Sequence, residues 1–458
     1  MTAELLDDLE IPVLDVALRR RSVGSSLRYV QREIVAAAHE LLSLFDQAIV
    51  SATAFATAVI IGRMTSPEDL GFYYSTLTAI LIVIGIQDQI VAVPYMFFAK
   101  RFNGEMHARY AGSVWLHHLA LTGVTVATLL GAITFFTLRG TTGILPGLWA
   151  LVGAAPLILL REDLRRFMFA DLHLRTAIVI DITVSIAQLA GLFVLGYLGQ
   201  LTLFSIFSVM GGACGLAVVV WLLIDPPQLE FSVASFRSDW KHNWAFGKWA
   251  LRGHLLNSTT PYLMIWFVNV AVGPAAAGLL GACTSLIGIT RVIQAGVTNV
   301  LTTQASCAYT EGGWTALQRL LWRNTLYLAL TLGSACLLFA VTGDKLAVLV
   351  FGSLGKGTGS ILLMLALATL LSSFSVVAGN GLWAIERARS NFFADIFCAG
   401  GMLGVAAVAV VPLGAFGAAL AVLTGNGIAM VVRLVILFRA WQADQSDDQE
   451  LTLERTPV

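Results

Sequence analysis

Charge is what this chain of 458 residues has least of. Only 12% of its residues are Asp, Glu, Lys or Arg, against roughly 25% in soluble domains. A soluble chain of that length would need far more polar surface to cover its core. The 28 basic and 28 acidic residues cancel to a net charge of zero, so nothing points to nucleic acid or to a strongly acidic partner. Cysteine is sparse as well. Cys214, Cys283, Cys307, Cys336 and Cys398 lie singly in or beside apolar segments, with no Cys-x-x-Cys pair and no Cys/His cluster. They read as small apolar packers, not as disulfides or metal ligands. No glycine loop ending in lysine cradles a phosphate, so ATP is not bound in that mode and no cofactor is implied. With no catalytic constellation and no loop long enough for an extramembrane domain, the chain does not read as an enzyme.

What the chain does have is apolar length. Hydrophobic residues make up 57% of it and the mean hydropathy is +0.80. Apolar runs of about 17–30 residues recur, each able to cross a hydrocarbon core of about 30 Å. The expected spans are Leu41–Gly62, Leu70–Ala99, Ser113–Thr137, Ile144–Leu160, Thr176–Leu198 and Leu201–Leu223. After a connector come Trp249–Val272, Ala275–Thr302, Thr325–Val341, Thr358–Ala378, Asn391–Val411 and Leu413–Leu437. The fold class is therefore an all-α polytopic membrane protein of about twelve transmembrane helices. No cleavable signal peptide is visible, and the first apolar run starts near Leu41, so that helix should stay as an anchor.

Basic residues mark one side. They fall in the leader (Arg19, Arg20, Arg21, Arg28, Arg32) and in alternate loops: Lys100, Arg101 and Arg109; Arg161, Arg165, Arg166 and Arg175; Arg237, Lys241, Lys248 and Arg252. Arg319 and Arg323, Arg387 and Arg389, then Arg433, Arg439 and Arg455 continue the series. The opposite loops hold Arg63, Arg139, Lys345 and Lys356. Both termini are thus expected in the cytosol, with Thr141 and Gln200 on the far side. Residues 1–40 form a cytosolic leader and residues 442–458 an acidic, disordered tail. Residues 225–245 form a connector that opens with Pro226 and Pro227, which stop a helix. Phe231, Val233, Phe236 and Trp240 among its polar neighbours suggest a short amphipathic helix on the interface.

The connector separates residues 41–224 from residues 246–441, and these halves resemble one another. Pro67-Glu-Asp-Leu-Gly71 matches Pro274-Ala-Ala-Ala-Gly278. Ala170, Arg175 and Asp181 match Ala384, Arg389 and Asp395, and Leu198-Gly199 matches Leu413-Gly414. In the same order along the chain, these matches indicate an internal duplication. With an even number of helices in each, two six-helix lobes share orientation about a pseudo-two-fold axis along the membrane normal. A cavity between two such lobes suits an alternating-access transporter.

Ile60-Ile-Gly-Arg-Met-Thr-Ser-Pro-Glu-Asp-Leu-Gly-Phe-Tyr73, Val272-Gly-Pro-Ala-Ala-Ala-Gly-Leu-Leu280, Val350-Phe351-Gly352 and Ala384 to Arg389 carry a family likeness. On these stretches the chain resembles the polysaccharide-transport branch of the multidrug/oligosaccharidyl-lipid/polysaccharide exporter superfamily. The match spans most of Leu41 to Trp441, by pattern more than by signature, and the long leader departs from it. The resemblance implies a bacterial inner-membrane flippase that moves undecaprenyl-pyrophosphate-linked oligosaccharide outward for O-antigen or exopolysaccharide. Its implied partners are the lipid-linked oligosaccharide, membrane lipids, a polysaccharide polymerase and a chain-length regulator. The rivals are a cation-coupled multidrug or metabolite antiporter of the same superfamily and, last, an integral-membrane glycan polymerase or ligase, whose long external loops are missing here.

Charges inside a bilayer cost about 3 kcal/mol each and need a reason. Asp46, Asp88, Asp181, Arg291 and Asp395 are such charges. Asp181 and Asp395 lie near helix ends, where Arg175 and Arg389 are nearby partners. Ile84-Gly-Ile-Gln-Asp88 and Ile287-Gly-Ile-Thr-Arg291 align, so these opposite charges could pair across the cleft or hold substrate. Asp46 and Asp88 are the candidate coupling or gating charges. Arg252, Asn257, Thr260, Arg291 and Gln294 are the candidate cavity residues: the arginines for diphosphate, the amides and hydroxyl for sugar. Pro261 frees a backbone carbonyl beside them. Gln87, Gln89 and Asn299 extend the polar wall. His117 and His118 read as interfacial groups that do not titrate.

Overall fold

In the computed structural model the described residues are 42–43, 45–226 and 229–454. At 233, 234, 257, 289, 291, 292, 299, 388 and 446–454 only the backbone is described. The expected leader, residues 1–40, therefore lies outside the described residues. Helix α1 spans Phe45–Met64. Ser66 then caps α2 by accepting from the Asp69 amide, with Pro67 in the first turn. Proline is suited to that place because the amide it lacks would have no partner there. Helix α2 runs Pro67–Gln87, passes a π turn at Asp88–Ala92 and resumes as Val93–Phe98. Then come α3 (Glu105–Leu138), α4 (Leu145–Ala170), α5 (Leu174–Tyr197) and α6 (Leu203–Ile224). Helix α7 (Val233–His254) joins α8 (Thr260–Ala271) through a second π turn, Leu255–Thr259. The long runs α9 (Pro274–Phe351) and α11 (Ala388–Glu454) flank α10 (Gly359–Ala384). Gly313 and Gly414 have non-helical φ/ψ, so α9 and α11 are each two helices across a kink.

Among the described residues, nine helices are long and apolar enough to cross a membrane. Exposed Leu, Val, Ile and Phe are spread over their outer faces, as lipid contact requires. The chain is a multi-pass, all-helical membrane protein.

Three expectations change. Helix α4 does not stop at Leu160 but runs on through Arg161, Asp163, Arg165 and Arg166 to Ala170; these charges find partners inside the bundle, so they do not end the span. The connector helix is longer than expected and leads through the Leu255–Thr259 π turn into the seventh span, because no proline interrupts residues 233–260. Pro261, which cannot donate to the turn before it, follows that π turn just as Pro94 follows the other. The tail from Gln442 to Glu454 is helical, not structureless; it holds neither Gly nor Pro.

Three of the four stretches that carry the family likeness meet at one end of the bundle, while Ala384 to Arg389 follows the opposite end of α10. Helices α2 and α9 cross so closely that a Cβ on Gly71 would lie 1.8 Å from the Pro274 carbonyl oxygen, and one on Gly278 would lie 2.7 Å from that of Pro67. The contact is reciprocal, and only small residues permit it. Beside it, Arg63 donates through Nε to the Val350 carbonyl at 2.6 Å, and Gly62 abuts the Phe351 ring.

Positive φ angles recur in register. Gly104 and Gly313, Gly140 and Gly352, Leu172 and Glu386, and Gly199 and Gly414 form pairs spaced by 209, 212, 214 and 215 residues. Leu172 and Glu386 are the non-glycine residues with positive φ among the described residues, each at the turn after a corresponding helix.

Candidate functional site

A cavity of about 770 Å³ lies in the first half, walled by α1, α2, α4, α5 and α6 and by α9 from the second half. Its wall is mostly aliphatic and aromatic, interrupted by hydroxyls and amides. Thr53 donates to Ser185 Oγ at 2.6 Å, and Ser185 donates in turn to the Asp181 carbonyl at 2.6 Å. Gln188 Nε2 donates to Thr57 Oγ1 at 2.8 Å. Across the two halves, the Tyr74 and Ser285 hydroxyls are 2.8 Å apart, and Asn269 donates to Ser75 at 2.7 Å.

Under this wall lies an ionic network. Arg165 Nε is 3.1 Å from Asp46 Oδ2 and 2.8 Å from Asp181 Oδ2, and its Nη2 reaches Asp46 at 2.5 Å. Arg161, on the cavity wall, donates to Asp181 and to Glu162. Both aspartates are fully buried. Two donors per buried carboxylate are what make such charges tolerable, since an unpaired one would cost several kcal/mol. Two polar atoms stay unpartnered, Asp46 Oδ1 and Arg161 Nε.

The candidates separate into those the network absorbs and those it does not. Asp46 is a fully buried member. Asp181 pairs with Arg161 and Arg165 where Arg175 had been the expected neighbour, because α4 extends past Leu160 and brings those arginines inward. Asp395 likewise pairs with Arg433 at 2.6 Å, from the far end of α11, and not with Arg389, whose guanidinium lies over the Phe393 ring. Asp88 is held by Arg166 Nε at 3.2 Å within its own half. The Arg291 and Asn257 side chains are not among those described. Arg252 is exposed and stacks over Trp249 at 4.3 Å. Thr260 is buried and donates to the Leu256 carbonyl at 2.8 Å, which satisfies the π turn. Gln294 lies 3.5 Å from Ser372. None of Arg252, Thr260 and Gln294 lines the cavity.

His117 and His118 are not interfacial. Both are buried; His117 Nε2 meets the Phe236 carbonyl of α7 at 3.0 Å, and His118 pairs with Asp163 at 2.7 Å. The cavity residues missed from sequence are Thr53, Thr57, Ser185 and Gln188. Thr53 and Thr57 stand one turn apart on α1, and Ser185 stands near Gln188 on α5, so a polar stripe on an apolar helix was the available signal. Among the described residues no group of His, Cys, Asp and Glu could hold a metal ion.

Compared with known proteins, the chain matches no family model and no curated sequence. Solved structures do match. An inward-facing multidrug resistance MATE family transporter of the MOP superfamily is 15% identical, over 87% of this chain and 96% of that one, with a TM-score of 0.73. The lipid II flippase MurJ, in an inward closed conformation, is 14% identical over 87% of each chain, with a TM-score of 0.67. An outward-facing MATE family transporter is 14% identical over 89% of this chain and 95% of that one, with a TM-score of 0.58. The fold is that of the MOP transporters, and it superposes better on the inward-facing form.

Proposed function

We propose that this chain, built on a MOP transporter fold, is a flippase for undecaprenyl-pyrophosphate-linked oligosaccharide in the bacterial inner membrane, working by alternating access for polysaccharide assembly. The observation that carries the reading is the cavity lining. Its carboxylates, Glu162 on the wall and Asp181 and Asp46 beneath, are held by Arg161 and Arg165, while Thr57, Ser51, Gln188 and Tyr74 present neutral groups among apolar ones. Sugar rings, with apolar faces and hydroxyl edges, suit such a wall; an organic cation would be served better by an unpaired carboxylate.

On this reading the molecule has twelve helices in two six-helix lobes about an axis along the membrane normal. The paired positive-φ turns and the reciprocal Gly71/Gly278 contact support that arrangement. The Pro67/Pro274 end closes the outside, and both termini are cytosolic. The diphosphate enters past Arg252 and is held by Arg291, with Asn257, Thr260 and Gln294 supplying hydrogen bonds as the lobes move; the isoprenoid tail stays in lipid. A polymerase and a chain-length regulator act downstream. The antiporter reading draws on Asp46, whose Oδ1 is buried without a partner and would take a coupling cation.

The test is glycan export in cells. Arg291→Ala abolishes export at unchanged protein level, and Arg291→Lys restores part of it, because lysine keeps the charge without the bidentate fork. Single cysteines at Thr141 and Gln200, labelled from outside in the same cells, report the orientation. Full export by Arg291→Ala removes Arg291 from the substrate path.

A further inference from the structure

Away from the cavity, three polar side chains meet in the interior of the first half. Gln87, His118 and Asp163 are 2%, 2% and 4% exposed. Gln87 Nε2 lies 2.8 Å from Asp163 Oδ2 and 2.6 Å from His118 Nδ1, and Nδ1 lies 2.7 Å from the same Oδ2. One ring nitrogen cannot donate to the carboxylate and also accept from the amide. The cluster therefore has more than one arrangement of protons. With a neutral ring, Nδ1–H donates to the carboxylate and Gln87 donates to it as well. A second proton, on Nε2, faces only the Thr122 hydroxyl at 3.5 Å and turns the couple from net −1 to net zero. The imidazolium Nδ1–H is then a stronger donor, and turning the amide offers it Gln87 Oε1, which is buried without a partner as the group now stands.

A route and an output adjoin this cluster. A small space of about 10 Å³, lined by Gln87, Asp88, Glu162, Asp163 and Arg166, has room for about one water. Glu162 lines both this space and the large cavity, and the Arg166 side chain is 43% exposed. The other charges on α4, Arg161 and Arg165, turn away toward Asp46 of α1 and Asp181 of α5. On the output side, Gln87 directly precedes the π turn Asp88–Ala92. That turn packs on α7: a Cβ on Gly247 would lie 2.6 Å from the Gln89 carbonyl oxygen, and one on Gly85 would lie 2.0 Å from His254 Nε2. Helix α7 also brings Phe236 and Trp240 against His117, and it leads directly into the second half.

We propose that Gln87, His118 and Asp163 form a proton-binding site whose occupancy is passed through the π turn of α2 to α7, and so to the relation between the halves. The step is uptake of one proton at the imidazole and its later release, with no other bond made or broken. The proposal rests on the transporter reading for its purpose, and not for its existence.

Trp115, whose ring centre is 6.1 Å from that of His118, is a built-in reporter, because a protonated imidazole quenches indole fluorescence. The full-length protein in lipid nanodiscs is titrated from about pH 5 to 9, the range in which histidine charge can change. The Trp115→Phe signal is subtracted from wild type. A single-proton transition is expected; it disappears in His118→Gln and is altered in Asp163→Asn, which removes the carboxylate that Nδ1 faces. A flat wild-type difference curve overturns the site, whatever the variants do. A second arm follows fluorescent undecaprenyl-diphosphate-linked oligosaccharide in proteoliposomes. An imposed pH gradient should change the flipping rate of wild type and leave that of His118→Gln unaffected; an equal response by both overturns the coupling. A normal Trp115 transition with no flipping by any form contradicts the flippase reading and leaves the proton site standing.

Discussion

The two halves hold their buried charge in different ways. In the first, Arg161 and Arg165 of α4 gather Asp46, Asp181 and Glu162 from three helices into one network beneath a cavity. In the second, the repeat position Asp395 has the single partner Arg433, which is itself shared with Asn391 and Ser375. The side chains of Asp46 and Asp181 are 0% exposed and that of Asp395 is 13% exposed. Backbone turns repeat between the halves while charge partners do not. Backbone geometry can thus recur along a chain while polar chemistry concentrates in one part of it.

The largest expected effect breaks this asymmetry at its centre. Arg165→Ala strands the fully buried Asp46, leaves Asp181 with Arg161 alone, and should lower stability by about 3–5 kcal/mol, read as a loss of folded protein on heating in detergent. Arg433→Ala strands one partly solvated carboxylate, and about 1–3 kcal/mol is expected. Equal losses would contradict the comparison.

The next effect concerns where the halves touch. Gly71→Ala places a methyl 1.8 Å from a backbone carbonyl and Gly278→Ala places one at 2.7 Å. Both should destabilise the crossing, by about 1–3 kcal/mol, with Gly71→Ala the worse in the same melting assay. Tolerance of both would mean that the halves separate at this end. The smallest effects test the shared turns. Gly199→Ala and Gly414→Ala should each cost roughly 1–2 kcal/mol, since both positions need positive φ, and the two losses should agree. A marked inequality would weaken the duplication.

Apolar length was enough to reveal the membrane class and most spans; the Pro-x-x-x-Gly matches marked corresponding positions, but that these touch directly where α2 crosses α9 is visible only in the structure. Charged positions were harder. Arg161 and Arg165 read as a loop because their partners lie far off in sequence: Asp46 is 119 residues from Arg165 and Asp181 is 20 from Arg161. No local pattern encodes such a pairing, and burial alone would have argued against it. Asp88 was matched to Arg291 by repeat register, whereas Arg166 reaches it from the adjacent helix. His118 looked interfacial because its partner Asp163 stands between Arg161 and Arg165, in a stretch that reads as a loop; extending α4 by ten residues brings the two together. The cavity hydroxyls of α1 and α5 were legible only as a faint polar stripe, since serine and threonine also satisfy their own helix carbonyls, as Ser185 does with Asp181 at 2.6 Å.

The central claim is that this fold moves a lipid-linked glycan from one leaflet to the other, and one measurement addresses it directly. The purified protein is reconstituted into vesicles that carry undecaprenyl-diphosphate-linked oligosaccharide with a fluorescent label on the glycan. A membrane-impermeant reductant is then added outside. In protein-free vesicles only the outer-leaflet label is bleached; with the protein, label from the inner leaflet should follow until nearly all is lost. Bleaching that stops at the outer leaflet, in vesicles where the same protein accumulates an organic cation, would contradict the flippase and leave the antiporter.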